Sequence, residues 1–298
     1  MIINKFRKNV DSTKAADVIV EAGLNWTVSK GQLTRLGHNG VTRTSKSVSL
    51  VRDDLDLELA VVGNRYSPYQ NKDAFDILDP LVEAGLIVFN SAGCIAEGER
   101  TFIMAKVVGC SEMVNGQDID LYILATNSHG YAAVSFGFIP VVRQTGRTLA
   151  GLGGNVKLTH KGNIKRKMKS LADAMDLAKG KFVASVQQME EMQSIGMNSA
   201  AFQELVKVVI GANGKTDAGQ RKLAKILAHG AQVENVLDAY MAMSEYLNST
   251  DAGRNPDSIL TSLWYGSGKA TMQNMFQKCL EIIKEVNNDN AESVGSNL

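Results

Sequence analysis

Proline, cysteine, aromatic residues and long apolar runs are all scarce in this sequence of 298 residues. It has 4 prolines and 6% aromatic residues, whereas 44% of its residues are hydrophobic and 21% are charged. This composition excludes collagen-like, disulfide-dense and disordered chains, and it suffices for a sizeable apolar core. No apolar run approaches the roughly 18–20 residues that a membrane span needs. The basic N-terminus also lacks the apolar block of a secretory signal. We therefore expect no membrane partner.

Cysteine and histidine show no metal-binding pattern. The three cysteines, Cys94, Cys110 and Cys279, are odd in number and lack metal-ligand spacing. They predict free thiols in a reducing compartment. The four histidines are scattered, and none pairs with another at a spacing that metals use. The sequence therefore predicts neither a metal site nor a cofactor.

Net charge is almost absent from the chain as a whole, which carries +1. The 42 residues 140–181, however, hold ten basic groups and two acids, so this segment carries +8 and the remainder carries −7. Concentrated basic charge is typical of a polyanion site, because each neutralised phosphate releases condensed counterions. A solvated helix face is the alternative, since lysines decorate most helices. Five basic residues within 161–169 without an intervening acid favour the polyanion site.

Hydrophobic periodicity predicts strands in the first half of the chain and helices in the second. The first half begins with a helix over 14–22, capped by Asp11 or Ser12, and three alternating strands between 26 and 61. A helix over 73–84, capped by Asn71, and four strands over 86–90, 101–108, 119–126 and 132–142 follow. Strands and helices segregate, which indicates an α+β fold: an N-terminal antiparallel β-sheet domain with packing helices, then an all-helical C-terminal region.

The glycine-rich stretch 146–155 is the predicted boundary between the two parts. We expect an α+β sheet domain over 1–155, a helical region over 156–287 and a disordered tail over 288–298. Helices are predicted over 199–210, 217–229, 233–247 and 269–286. Before them, apolar residues including Met168, Met175, Met189 and Met192 form a near-heptad seam, which is more typical of a core than of a ligand site.

Several polar groups invite a catalytic interpretation without supporting it. The segments 211–216 and 266–271 imitate a phosphate-binding loop but lack its first glycine and a preceding strand. His129 lies in a predicted hairpin turn, where the neighbouring Asn and Gly residues favour left-handed turn geometry. A role in the turn is therefore favoured over a role in catalysis. The acids Asp53, Asp54, Asp56 and Glu58 fit a strand edge better than a metal site. We find no nucleophile–base arrangement and expect no enzyme; a nucleic-acid enzyme that uses His129 or these acids is the weakest alternative.

Two tyrosines stand between a predicted strand and a predicted helix. Tyr66 and Tyr69 lie close to Arg65, and exposed rings beside a cation can stack nucleic-acid bases. Both rings could equally pack under the following helix, with Pro68 fixing the turn. The stacking role and the packing role both stay open at this point.

Short blocks of the sequence resemble the phage/plasmid-like protein family, a group of unknown function carried by bacteriophages and conjugative plasmids. The resemblance covers roughly 62–280 and rests on several blocks in the same order: Val62-Gly63-Asn64-Arg65-Tyr66-Ser67-Pro68-Tyr69-Gln70-Asn71, Gly98-Glu99-Arg100, 124–130, Pro140-Val141-Val142-Arg143, 156–160, Ala239-Tyr240-Met241-Ala242 and 264–268. After Arg143 the family usually shows Cys and then Asn-Thr-Leu. Here Arg147 stands where Asn is expected and no Cys is present, so no role of either residue is carried over.

The order of elements also resembles the core of the Redβ/RecT/Erf single-strand annealing superfamily, by architecture only. Together, the resemblances and the charge predict a non-enzymatic phage protein that binds and anneals single-stranded DNA in recombination or replication, in the host bacterial cytoplasm. RNA is a further possible ligand, and we expect a homo-oligomeric ring or filament. A phage structural or host-takeover protein that docks a partner through its methionine-rich seam is the alternative. The candidate phosphate contacts are Arg143, Arg147, Lys157, Lys161, Lys165, Arg166, Lys167 and Lys169, and the candidate stacking residues are Tyr66 and Tyr69.

Overall fold

The fold combines two antiparallel sheets with a C-terminal group of helices. A computed structural model describes residues 7–130, 133–151, 156–159, 164–211, 216–251 and 255–295. The first elements are β1 (Arg7–Asn9), α1 (Ala15–Glu21), β2 (Val28–Leu36), β3 (Thr42–Arg52), β4 (Leu57–Gly63), α2 (Asn71–Phe75), α3 (Asp79–Glu83) and β5 (Ile87–Ile95). They are followed by β6 (Arg100–Val114), β7 (Gln117–Ser128), β8 (Ala133–Val142), β9 (Arg147–Thr148), β10 (Val156–Thr159), α4 (Ile164–Ser194), α5 (Ser199–Ile210), α6 (Asp217–His229), α7 (Val236–Leu247), α8 (Pro256–Tyr265) and α9 (Ser267–Gly295). The predicted α+β fold is confirmed.

The smaller sheet consists of β2, β3 and β4 in that order. Trp26, Val28 and Leu50 form a small apolar cluster on this sheet, separate from the main core. β4 pairs with Ser47–Arg52 of β3, whereas the pairing of β2 with β3 continues to Leu36 and Thr42. The distal half of the β2–β3 hairpin therefore extends past β4 as a two-stranded ribbon.

Within the described residues, the larger sheet has seven strands in the spatial order β1-β5-β6-β7-β8-β10, with β9 also paired to β8. All of these pairings are antiparallel. β6 and β7 are longer than predicted because a two-residue turn, Asn115-Gly116, joins them directly. Both turn residues have positive φ, 48° and 70°, which is the backbone that a tight Asn-Gly hairpin requires.

The segment that was predicted as one helix over 73–84 is divided in two. α2 ends at Phe75, a 3₁₀ turn spans Asp76–Leu78, and α3 starts at Asp79. Pro80 explains the division, because proline has no N–H and its ring clashes with the carbonyl four residues earlier. Asn71 is the first residue of α2 rather than its cap.

The helical part agrees with the prediction at α5 and α6, whose bounds match 199–210 and 217–229. α8 was not predicted. α9 extends to Gly295 and so enters the expected tail, since no glycine or proline lies between Lys269 and Val294. None of the described helices is both long and apolar enough to cross a membrane.

The main apolar core runs across the predicted boundary between the two parts. One continuous cluster joins residues of the larger sheet, such as Phe102 and Phe136, to helical residues such as Phe182 and Tyr240. α4 packs on β6, β8 and β10, and α8 packs on β5. Helices of the C-terminal part therefore pack directly on the larger sheet.

Candidate functional site

The basic segment lies at one edge of the larger sheet. β10 is the terminal strand of the sheet, and α4 follows it and packs across β10, β8 and β6. Lys157 is in β10, Lys165, Arg166 and Lys167 follow the first residue of α4, and Lys169 comes in the second turn. Lys169 is exposed, whereas Lys161 and the side chains of Lys157, Lys165, Arg166 and Lys167 lie outside the described residues. The chain path thus brings Lys157 and the first two turns of α4, which contain Lys165, Arg166, Lys167 and Lys169, close to this edge.

The start of α4 is an unfavourable place for cations. The N-terminal end of a helix carries about half a positive charge, so a basic side chain there costs about 0.3–1 kcal/mol when it has no compensating anion. The first turn of α4 contains three basic residues and no acid. A bound polyanion would offset this repulsion, and this distinguishes the segment from a basic patch in mid-helix.

Arg143, by contrast, is held by carboxylates of its own chain. Its guanidinium donates to Asp120 at 2.8 and 2.6 Å and to Asp118 at 3.1 Å. Asp120 is buried, and it also binds Ser111 at 2.6 Å and Lys106 at 2.9 Å. Burial pushes the pKa of Asp120 upward, but the hydrogen bonds from Arg143, Ser111 and Lys106 outweigh it and hold the pKa well below its usual range. Arg143 mainly neutralises this acid.

Arg147 also binds partners within its own chain. Its guanidinium lies mostly buried, 3.4 Å from Glu245 and 3.1 Å from Gln117. Burial lowers the pKa of this guanidinium. Because its partners come from β7 and α7, Arg147 links the sheet to the helices, and it has little surface to offer a phosphate.

Tyr66 and Tyr69 are both half-buried. The Tyr66 hydroxyl donates to the His129 carbonyl oxygen at 2.8 Å, and its ring packs on the cluster of the smaller sheet. Tyr69 packs against the main core, and its carbonyl oxygen accepts from the Asn127 amide at 3.0 Å. Burial raises the pKa of both phenols. The packing role is therefore present at both positions, and the stacking role stays a prediction.

Three of the sequence blocks of the family resemblance meet at one largely buried place, which we call the block junction: Tyr66, Asn71, Gly98, Asn127 and His129. Asn71 donates to the Leu24 carbonyl oxygen at 3.0 Å, and its own oxygen accepts from Thr101 and Asn127 at 2.7 and 3.2 Å. The His129 N–H donates to the carbonyl oxygen of Glu99 at 3.0 Å. The blocks thus contribute buried hydrogen bonds that join the smaller sheet, α2 and the larger sheet.

His129 lies in a turn after β7, as predicted, and its side chain occupies the centre of the block junction. Its side chain is buried, and its ring centroid is 5.3 Å from that of Trp26. Neither ring nitrogen has a hydrogen-bond partner within the described part of the chain. Burial lowers the pKa of His129 to about 4, so this imidazole is neutral at pH 7. With no base or nucleophile hydrogen-bonded to it there, the geometry gives His129 a packing role.

The acids of the β3–β4 turn have local partners. Asp53 accepts hydrogen bonds from Thr27 and Ser29 at 2.6 and 2.5 Å. Asp54 forms a two-point ion pair with Arg52 at 2.7 and 2.9 Å. Across the ranges that the structure describes, no group of three or more His, Cys, Asp or Glu side chains could hold a metal ion.

The methionine seam of α4 is internal. Met175, Met189 and Met192 are all buried in the main core, and the side chain of Met168 lies outside the described residues. The seam therefore binds α4 to its neighbours in the same chain.

Fold and site together define an α+β protein with a buried junction of sequence blocks and a basic strand–helix edge. A family model, Domain of unknown function (DUF932), matches residues 58–273. The match covers well over half of the chain, and the protein belongs to this family. Comparison with curated proteins found no match, and comparison with solved structures found none either. The matched region contains the basic segment and all five residues of the block junction, whereas β2 and β3 precede it.

Proposed function

We propose that this chain is a non-enzymatic protein that binds single-stranded DNA and promotes its annealing, in the recombination or replication of a bacteriophage or related mobile element. The observation that carries the proposal is the basic start of α4 beside the terminal strand of the larger sheet. Basic residues are concentrated there although the helix dipole opposes them. A phosphate backbone supplies the compensating charge.

Binding would rest on the lysines and Arg166 rather than on Arg143, which follows β8, and Arg147 of β9. Lys157, Lys161, Lys165, Arg166, Lys167 and Lys169 would contact phosphates. Arg143 and Arg147 would add only long-range attraction, because their guanidinium groups already bind carboxylates. Contacts to the backbone leave the bases free, and free bases are what pairing with a complementary strand requires.

The acidic remainder of the chain supports both selectivity and assembly. The remainder carries −7 in total, and the faces that hold its acids repel DNA, so that a strand is retained at the basic edge, which consists of Lys157 in β10 and the start of α4. The same charge on one copy can attract the basic edge of the next, which is a head-to-tail contact that closes into a ring or continues as a filament. We therefore propose a homo-oligomer on DNA.

Gel-shift titration with a labelled single strand at two salt concentrations tests the proposal. We expect tight binding at low salt that weakens as salt rises. The triple variant Lys165→Gln, Arg166→Gln, Lys167→Gln should lower the salt slope, which is the slope of log affinity against log salt concentration, by about 2. This value assumes roughly 0.7 per lost phosphate contact to a single strand. The matched control is Lys14→Gln, Arg221→Gln, Lys284→Gln, which removes three exposed charges elsewhere. Binding that is absent at low salt, indifferent to salt, or equally weakened by both variants contradicts the proposal.

The annealing step needs its own readout. Two complementary labelled strands should anneal faster with the wild-type protein than with the triple variant at equal protein concentration. Mass photometry with and without single strands should show assembly on DNA. A monomer that is indifferent to DNA would instead favour a protein-interaction role, although Met175, Met189 and Met192 of the seam are buried and could not form the docking surface.

A further inference from the structure

The distal half of the β2–β3 hairpin, residues 33–47, forms a separate ribbon that we call the β arm. A three-residue loop closes it: the Gly40 N–H donates to the Gly37 carbonyl oxygen at 2.9 Å, and the Gly37 N–H donates to the Val41 carbonyl oxygen at 2.9 Å. Gly40 has φ 74°, the left-handed residue that completes this type of hairpin loop. The arm thus holds its shape through its own turn.

The β arm stands out into solvent. Every residue from 33 to 47 is exposed or half-buried. Leu36 is 74% exposed and Val41 is 51% exposed, and both lie next to the loop. A two-stranded ribbon without a covered face gains little from apolar burial. Its exposure therefore calls for an explanation other than stability.

The charge of the arm has one sign. Residues 22–52 contain five basic residues and no acid. Two of the five have local partners: Arg52 binds Asp54, and the Lys30 ammonium donates to the Asn64 carbonyl oxygen at 2.9 Å. The three on the arm, Arg35, Arg43 and Lys46, are exposed. They form no ion pair with any residue in the described ranges.

Two of these arginines face each other directly. In the register of the hairpin, Arg35 on β2 is the partner of Arg43 on β3. Like charges in directly opposed positions destabilise a strand pair, by a few tenths of a kcal/mol to about 1 kcal/mol. Charges that only protect a sheet edge from strand addition do not need to be paired across the ribbon. An anion between the two guanidinium groups would turn this repulsion into attraction.

The dimensions of the arm select the form of the polyanion. The major groove of duplex DNA is about 12 Å wide and admits a two-stranded β-ribbon, whereas the deep, narrow groove of duplex RNA does not admit side chains. Arginine on such a ribbon binds phosphates with two-point geometry. Leu36 and Val41 near the loop would meet the apolar edges of the bases, such as thymine methyl groups.

We infer that the β arm is a binding element for double-stranded DNA, with Arg35 and Arg43 on the phosphate backbone and the loop end in the major groove. This site shares no residue with the basic edge, and its proposed ligand is a duplex instead of a single strand. The inference does not rest on the single-strand proposal, and either can fail alone.

Fluorescence anisotropy with a labelled duplex, the matching single strand and polyglutamate tests the inference. The variant Arg35→Gln, Arg43→Gln should bind the duplex about tenfold more weakly at low salt, with a salt slope reduced by about 2 for two lost phosphate contacts. Single-strand affinity should change much less. The control Arg221→Gln, Lys284→Gln removes the same charge from exposed helix positions, and Arg35→Lys, Arg43→Lys should keep most of the salt slope.

Three outcomes would overturn the inference: equal loss in the arm variant and its control, equal loss on duplex and single strand, or tighter binding of polyglutamate than of duplex. Circular dichroism and a thermal melt check that each variant is folded. Duplex binding that survives in the Lys165→Gln, Arg166→Gln, Lys167→Gln variant and is lost in the arm variant would support the inference even if single-strand binding is absent.

Discussion

Acid should destabilise this protein through His129. The buried imidazole has a folded-state pKa of about 4, against 6.5 for a free histidine. As the pH falls below 6.5, the unfolded chain takes up a proton at this residue and the folded chain does not, so the free energy of unfolding falls. Below about pH 4 both states are protonated and the loss levels off.

The magnitude follows from the shift in pKa. A shift of one unit corresponds to 1.36 kcal/mol, so the full shift is worth about 3 kcal/mol, of which about 2 kcal/mol is lost between pH 7 and pH 5. This loss is a large fraction of the free energy of unfolding of a typical domain, which is about 5–15 kcal/mol. The effect arises because the described residues offer the ring nitrogens no hydrogen bond that could favour the charged form.

Urea unfolding followed by tryptophan fluorescence at pH 7, 6 and 5 measures the effect, with His129→Leu as the comparison. The variant lacks the titrating group but keeps a similar volume, so the difference in unfolding free energy between it and wild type should shift by about 2 kcal/mol in favour of the variant over this range. Other titrating groups, such as Asp76, whose pKa is raised by burial, cancel in the difference. A difference that stays constant with pH refutes the assigned environment of His129.

Two further predictions concern residues with structural roles. Arg143→Ala should lower the free energy of unfolding at pH 7, since buried Asp120 loses two charged hydrogen bonds but keeps Lys106. Denaturant unfolding measures this change, and an unchanged midpoint would contradict the ion network. Gly98→Ala should lower the free energy of unfolding by about 1–3 kcal/mol, because Gly98 has φ 114° and a methyl group would come within 2.9 Å of the Trp26 ring. A melting temperature equal to that of wild type would show that the loop does not approach Trp26 so closely.

Elements with local signals were predictable from the sequence. α5 begins after Asn198, whose side chain accepts the Ala201 N–H at 2.9 Å, and it ends at Gly211 in the left-handed conformation. α6 begins in the same way after Thr216. Caps and stops of this kind act within four residues, and sequence patterns detect them. The unpredicted α8 had such signals as well, because Asn255 caps it and Pro256 occupies its first turn.

Partners from distant parts of the chain were not predictable. The first N–H of α1 donates to Asp79 at 2.7 Å, 64 residues away, and not to the expected caps Asp11 or Ser12. The candidate phosphate contact Arg147 binds Glu245, 98 residues away. A sequence window counts such cations as free charge because it cannot show the acid that folding brings beside them.

The sequence by itself determined the α+β class, the helical second half and the polarised distribution of charge, because all three follow from composition and short-range periodicity. Only the tertiary structure decided which charges are available to a ligand. It pairs Arg143 and Arg147 with acids of the same chain and buries His129 beneath Trp26. It also sets Arg35 opposite Arg43 on an exposed ribbon. The physical reason is that a charge is neutralised by opposite charges close to it in space. The separation of two residues along the sequence does not reveal their distance in the folded chain.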